Sequence, residues 1–416
     1  MGAMKAVVIT LGCKVNDVES GSIIRGLETL GYGVSREIEP ADLYIVNTCA
    51  VTAEAERKSR QTVGKALKAG GDRARVIVCG CAAEKTPQAF LDKGAFAVVG
   101  AQSKQRVLEL VKTGGSGLQL QSATAYEEMP LPKCLRTRNF VKIQDGCNRF
   151  CSYCVIPYLR GRSRSRSVES AAAEILQSTA YETVVTGIDV SAYVDENGND
   201  LTDLMLAVKD AQTRIRLGSM EVSLITPRFL DALKRVKRFA PQFHLSLQSG
   251  SNAVLKSMNR HYTREEYLEK CRMIYEAFPN AAITTDIIVG FPTETQADFE
   301  QSLAMVQQAG FAQIHAFPYS PREGTNAYKK YKELPYALKK ERVDILLAAG
   351  AKQKETYMQG FIGKTLEVVP ERCVDGYTEG YSENYIRVYI AGDVGDKPVK
   401  VRVDGLYKDG VQAVKE

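Results

Sequence analysis

Six cysteines, in two sets of three, are the residues of this sequence best placed to do chemistry. Cys147, Cys151 and Cys154 follow a C-x3-C-x2-C spacing, close enough to share one inorganic centre. Cys13, Cys49 and Cys81 are far apart in sequence, yet each comes just after a short apolar segment. Three thiolates leave one iron of a cubic iron–sulfur cluster without a protein ligand, and that iron is open to another molecule. No standard zinc spacing fits the dispersed set. The chain has ten cysteines and no charged-then-apolar export signal at its start, so reduced thiols in a cytoplasmic protein are expected. Any single cysteine could instead be a small buried hydrophobe. Cys79 reads that way, since it lies within a strand two residues before Cys81.

The elements that must position these thiols follow from the apolar pattern. Ala6 to Leu11, Leu43 to Asn47, Val76 to Val78 and Ala97 to Val99 are short apolar segments. Helical stretches separate them, from about Asp17 to Leu30 and again after Thr52. This βαβα rhythm predicts an α/β domain over residues 1–112 with a parallel sheet. Carboxyl ends of parallel strands share one edge, where ligands bind, so Cys13, Cys49 and Cys81 should converge there. Residues 113–133 read as a linker.

Phe140 to Gly146 reads as a strand entering a tight turn before Cys147. A three-thiolate [4Fe–4S] cluster there could chelate the amine and carboxylate of S-adenosylmethionine at its open iron. One electron then cleaves the sulfonium bond to a 5′-deoxyadenosyl radical. A degenerate zinc knuckle or chance spacing is the alternative. Tyr153 is placed to lie against the adenine. Residues 134–353 continue with strand and helix signals expected of a partial (β/α) barrel of the radical type, in which polar residues at strand ends carry function. Gly187, which ends a strand from Val184, could admit the cofactor's amino group. Glu221, at the end of a strand reading from Arg216, could touch its ribose or methionine part, and Gln248 lies in His244 to Gly250, a run of the same form. Each is also an ordinary turn or cap residue.

The sequence resembles the methylthiotransferase family of radical S-adenosylmethionine enzymes along essentially its whole length. The match rests on Leu11-Gly12-Cys13-Lys14-Val15-Asn16, Asn47-Thr48-Cys49, Gly80-Cys81 and Gln144-Asp145-Gly146-Cys147. It continues in Arg160-Gly161, Ser246-Leu247-Gln248-Ser249-Gly250 and Ala316-Phe317-Pro318-Tyr319-Ser320. The resemblance implies two [4Fe–4S] clusters, an auxiliary one on Cys13, Cys49 and Cys81 and the radical one on Cys147, Cys151 and Cys154. It also implies that S-adenosylmethionine serves twice, as methyl donor and as radical source. Implied partners are a tRNA anticodon stem-loop, an electron donor such as flavodoxin or ferredoxin, and a sulfur donor, with no membrane. Gly-Cys-Lys-Val-Asn and Phe317-Pro318-Tyr319-Ser320-Pro321-Arg322 look most like the branch acting on N6-threonylcarbamoyladenosine. Other branches act on isopentenyl-adenosine or on a ribosomal-protein aspartate.

Composition permits such a partner. The chain has 416 residues, 25% charged, with a net charge of +6, and no apolar run long enough to span a bilayer. Met4 could be the natural start, with Met1-Gly2-Ala3 as an added leader. Residues 133–166 hold nine Lys/Arg against one acid, Asp145. Within them Arg160, Arg162, Arg164 and Arg166 are the candidate substrate contacts, since guanidinium suits phosphate or carboxylate. Residues 354–416 show short alternating strands and turns, predicting a small β-barrel that looks like the family's TRAM domain. Residues 355–416 carry eight Lys/Arg against eleven Asp/Glu, which weakens its attraction to RNA. Tyr377, Tyr381 and Tyr385 could stack on bases. A ferredoxin-like carrier would be smaller, and an RNA-binding protein with structural clusters would leave the open irons unused.

Overall fold

Alternate residues of the first apolar segments face opposite sides of one sheet. Strand β1 (Lys5–Thr10) sends Val7 into a core with Tyr44, Val46 and Val78, and Ala6 and Val8 into a second core with Ile45, Ile77 and Cys79. With β2 (Gly33–Ser35), β3 (Leu43–Thr48), β4 (Arg75–Gly80), β5 (Ala97–Val99) and β6 (Gly117–Gln119), it forms a parallel sheet ordered β2-β1-β3-β4-β5-β6. Helix α1 (Lys14–Thr29) supplies Ile23, Ile24 and Leu27 to one core, and α2 (Ala53–Gly70) supplies Val63 and Ala66 to the other. The order reverses between β1 and β3, the switch point at which such sheets bind ligands. The computed structural model describes residues 4–71, 74–134 and 137–416. Met1 to Ala3, read as a leader, and Arg136 of the basic run lie outside the described residues.

The span read as a linker over 113–133 is part of this domain's fabric. It contributes β6, and its Glu127 carboxylate accepts the N–H groups of Lys104 and Gln105 at 2.8 Å each.

Six parallel strands form the partial barrel: β7 (Asn139–Asp145), β9 (Glu182–Gly187), β10 (Arg214–Leu217), β11 (Gln242–His244), β12 (Ala282–Val289) and β13 (Gln313–Pro318). β8 (Arg164–Ser165) pairs antiparallel with β7. Two isolated parallel bridges, Ile215 to Phe239 and Met220 to Leu245, carry the wall from β10 to β11. Two runs read as strands are shorter than expected. The Arg216 to Glu221 strand stops at Leu217, and the one at His244 stops there. Beyond it Gln248 turns left-handed, with φ +66°.

The C-terminal residues close into a barrel, β14 (Thr365–Val374), β15 (Tyr377–Ser382), β16 (Arg387–Ala391), β18 (Gly410–Lys415) and β17 (Val399–Tyr407), in that order. Among the described residues no helix is long and apolar enough to cross a membrane.

Candidate functional site

Cys13, Cys49 and Cys81 stand just past β1, β3 and β4, and all three line one cavity at the switch point. Gly12, at φ +103°, lies against the second thiol: a Cβ there would sit 2.9 Å from the Cys49 sulfur. Asn16 braces the loops, donating to the Leu11 and Thr48 carbonyls at 2.6 and 3.1 Å. Its Oδ1 faces the Cys13 thiol at 3.9 Å. Burial pushes the Cys49 thiol up to about 11 and raises that of Cys81. Cys79 is fully buried in the β4 core, two residues from the cavity.

Cys147, Cys151 and Cys154 occupy the loop after β7. Gly146 makes that loop possible: at φ +71° its missing Cβ would lie 2.0 Å from the Arg162 carbonyl oxygen. Gln144 stitches the turn, donating to the Gly146 carbonyl and Ser163 hydroxyl and accepting the Asp189 N–H at 2.7 Å. Arg149 forks between Asp189 at 2.6 Å and Glu221 at 3.2 Å. Arg260 donates to the Cys151 sulfur at 3.3 Å. Glu221 therefore sits beside the cysteine loop through Arg149. Tyr153 packs on the cluster containing Val254, Met258 and Phe291. Gly187 lines the large cavity; Gln248, Tyr153 and Glu221 do not.

Between the two cysteine sets lies a buried cage of charges. Glu19 of α1 meets Lys104 at 2.5 Å, Arg160 at 2.8 Å and Lys142 at 3.0 Å. Asp145 meets Lys142 at 2.7 Å and Arg160 at 3.0 Å. Burial alone would raise the Glu19 pKa, but Arg160, Lys104 and Lys142 hold it well below the usual range.

This cage corrects the substrate reading of the arginine run. Arg160 is fully buried at the cavity wall, and Arg164 is buried with its Nη1 donating to the carbonyls of Arg160 and Arg162. Arg166 is paired with Glu174 and with Glu128. Only Arg162 of the four is exposed, and it lies 4.7 Å over the Phe150 ring. Apart from Asp145, their carboxylate partners Glu19, Glu128 and Glu174 lie outside the 133–166 run, so a charge count over it could not show the pairing.

The cavity, of about 880 Å³, is walled by all three parts of the chain. The first domain gives Cys13, Lys14, Cys49 and Cys81, the partial barrel gives Arg138, Gly187 and Ser219, and the C-terminal barrel gives Arg372, Tyr381 and Tyr385. Tyr381 and Tyr385 stack with centroids 4.7 Å apart, whereas Tyr377 stacks away from them on Tyr407. Glu182 receives Arg138, Arg214 and Arg216, and Arg214 and Arg216 donate on to the Tyr381 and Ser382 carbonyls of the C-terminal barrel. Sequence reasoning missed Arg138, Arg216 and Glu182. The signal at Arg216 and Glu182 was charge inside strand runs, which a soluble strand rarely buries without partners, whereas Arg138 stands just before β7.

These surroundings fit iron–sulfur clusters. No group of His, Cys, Asp or Glu among the described residues is arranged to hold a single metal ion. Thiolates that each bind a different iron need not crowd one ion. Arg160 offers a further sign: its Nη1 and Nη2 serve Glu19, Asp145 and Asn16, while its buried Nε–H has no partner. The cage carries three cations against two carboxylates next to Cys81, a surplus suited to an anionic centre.

Comparison with known proteins places these features. Residues 141–306 match the model of the radical SAM superfamily, and residues 5–100 match that of uncharacterized protein family UPF0004. The chain is 34% identical to "Threonylcarbamoyladenosine tRNA methylthiotransferase MtaB" of Bacillus subtilis, over 95% of this chain and 92% of that one. It is 35% identical to the protein of that name from Chlamydia pneumoniae, over 97% and 96%. It is also 35% identical to "tRNA-2-methylthio-N(6)-dimethylallyladenosine synthase" of Thermotoga petrophila, over 88% and 86%. Among solved structures, the radical S-adenosylmethionine methyltransferase TsrM from Kitasatospora setae shares the fold, with a TM-score of 0.57, 14% identity and 77% of each chain covered.

Proposed function

The chain belongs to the methylthiotransferase family of radical S-adenosylmethionine enzymes, and from that premise we propose that it installs a methylthio group on C2 of N6-threonylcarbamoyladenosine in a tRNA anticodon loop. Enzymes of this family work with two [4Fe–4S] clusters and S-adenosylmethionine, which when bound supply the radical that activates an inert C–H bond and the methylated sulfur that replaces the hydrogen. Cys147, Cys151 and Cys154 would hold one cluster, and Cys13, Cys49 and Cys81 the other.

The observation that carries the reading is the shared cavity. It exposes the first three thiols on one wall, the carboxyl ends of the barrel strands on another and an aromatic pair on the third. The chain's own residues then have separable tasks. Gln144 and Gly146 shape the cysteine loop, and Arg149 with Asp189 and Glu221 fixes its flank. Tyr385 offers an aromatic face to a base, and Lys14 and Arg138 offer positive charge. The closed C-terminal barrel, which looks like a TRAM module, would receive RNA outside the cavity.

The threonylcarbamoyl branch is favoured over the isopentenyl one because the cavity wall carries cations, and an isopentenyl group needs an apolar lining. The test is to offer the reconstituted enzyme stem-loops bearing either modified adenosine and analyse the nucleosides by mass spectrometry. Methylthiolation of the threonylcarbamoyl RNA is expected; a clear preference for the isopentenyl RNA would overturn the branch.

A further inference from the structure

Lys14 is the first residue of α1, next to Cys13, and its side chain lines the cavity. No hydrogen bond or ion pair engages its ammonium among the described residues, although cations in this region are otherwise paired: Arg138 reaches Glu182 and Glu371, each at 2.7 Å, and Arg160 is caged. Tyr381 and Tyr385 line the same cavity, with the Arg138 guanidinium 5.0 and 5.4 Å from their centroids and that of Arg216 at 4.9 Å from Tyr385. Glu182 takes all three guanidiniums, with Glu371 also on Arg138 and Glu367 3.8 Å from Arg214. The charged residues lining the cavity are Lys14, Arg138, Arg160 and Arg372 against Asp17 and Glu371, a positive surplus. The Nη1 of Arg216, a fully buried side chain, has no hydrogen-bond partner.

Tyr385 adds a second, independent sign. It holds φ +65°, a conformation costly for a bulky residue, while its ring stays about a third exposed. The Tyr385 N–H donates to the Ser382 carbonyl at 3.0 Å, and the Ser382 hydroxyl takes the Ile386 N–H at 2.9 Å, fixing the turn that presents the ring. A partly exposed aromatic ring and an uncompensated ammonium lining one cavity suit a base that carries an anionic substituent.

We infer that Lys14 is the specificity-determining cation of this enzyme, receiving the threonyl carboxylate of the modified adenosine while Tyr385 supports its base. This rests on the substrate reading above. Lys14 adjoins Cys13 in the chain, so the group it holds must lie beside the sulfur-bearing centre. A backbone phosphate would satisfy the same charge, and the experiment separates the two.

Two stem-loops are compared, one with threonylcarbamoyladenosine and one with its carboxylate converted to the amide. Affinity for the two-cluster enzyme is read by fluorescence anisotropy, and iron content is measured on every sample. The wild type should favour the acid by about tenfold or more, the worth of one charge-assisted bond. Lys14→Met should lose that preference by weakening acid binding alone, and Lys14→Arg should retain much of it. Equal weakening on both RNAs would make Lys14 a phosphate contact and overturn the inference, as would an unchanged preference or loss of half the iron. If the wild type methylthiolates the acid RNA but binds both equally, the inference alone falls. If it does not act on the acid RNA at all, the substrate reading falls first.

Discussion

Replacing Glu19 by Gln should unfasten the first domain from the partial barrel. The side chain is 1% exposed and meets Lys104, Arg160 and Lys142 at 2.5, 2.8 and 3.0 Å. Glutamine keeps the shape but removes the charge, leaving three buried cations facing Asp145 alone. At an effective dielectric constant of about 20, each ion pair is worth about 4 kcal/mol before desolvation and cation repulsion are subtracted. Removing one partner of a buried cluster typically costs about 3–5 kcal/mol. Because a domain of 150–250 residues shifts by roughly 2–4 °C per kcal/mol, the first melting transition should fall by on the order of 10 °C. Hydrogen exchange should rise in α1 and β7, which the cage joins, and stay unchanged in the C-terminal barrel. Lys104→Met on top of Glu19→Gln removes a surplus cation and should restore part of the loss, a coupling that a double-mutant cycle measures. A fall below about 2 °C, or a purely additive double variant, would refute the view that this cage is the clamp.

Two further outcomes are expected. Burial would raise the Glu182 pKa, but Arg216, Arg214 and Arg138 pull it to about 2, from an ordinary 4.5. Its contribution, about 3 kcal/mol, is complete above pH 4.5 and is lost as pH falls towards 2. Exchange of β14 and β15 amides should accelerate over that window, and Glu182→Gln should remove this pH dependence while loosening the barrel at neutral pH. Cys79→Ala should retain about eight irons per chain, and Cys81→Ala about four; iron analysis giving the reverse would move the ligand role to Cys79.

The strands carrying the cysteines were legible because each is an apolar run with a helix-length gap after it. β2 and β6 escaped because Gly33 to Ser35 and Gly117 to Gln119 carry one apolar side chain each, unlike the equally short but wholly apolar β5. β15 was hidden by Gly380, where a Cβ would sit 2.5 Å from the Val369 carbonyl oxygen. The arginine run misled for a different reason. Arg-Ser alternation looks like a solvent-facing patch, but β8 is two residues long and turns Arg164 inward while its partner strand β7 carries Asp145. Pairing to Glu19 or Glu174 is a tertiary fact that no local pattern encodes.

The cage also ties together the loops that carry the two cysteine sets on separate domains. Asp145 lies two residues before Cys147, and its carboxylate takes the Gly146 N–H at 2.7 Å while gripping Arg160. Asn16 lies three residues after Cys13, and its Oδ1 accepts from Arg160 at 2.7 Å while facing the Cys13 thiol. One guanidinium thus ties the roots of both cysteine loops, with each of its four Nη–H groups directed at a residue that shapes a loop or anchors α1. Reactions that hand a group from one bound centre to another lose steeply with misplacement of about 1 Å. Lysine at position 160 would keep the charge but not the planar fork, and so could not hold both loops in one register. The demand on this residue is therefore geometric before it is electrostatic, which is why its burial beneath the cavity wall, and not its availability to substrate, is the feature that matters.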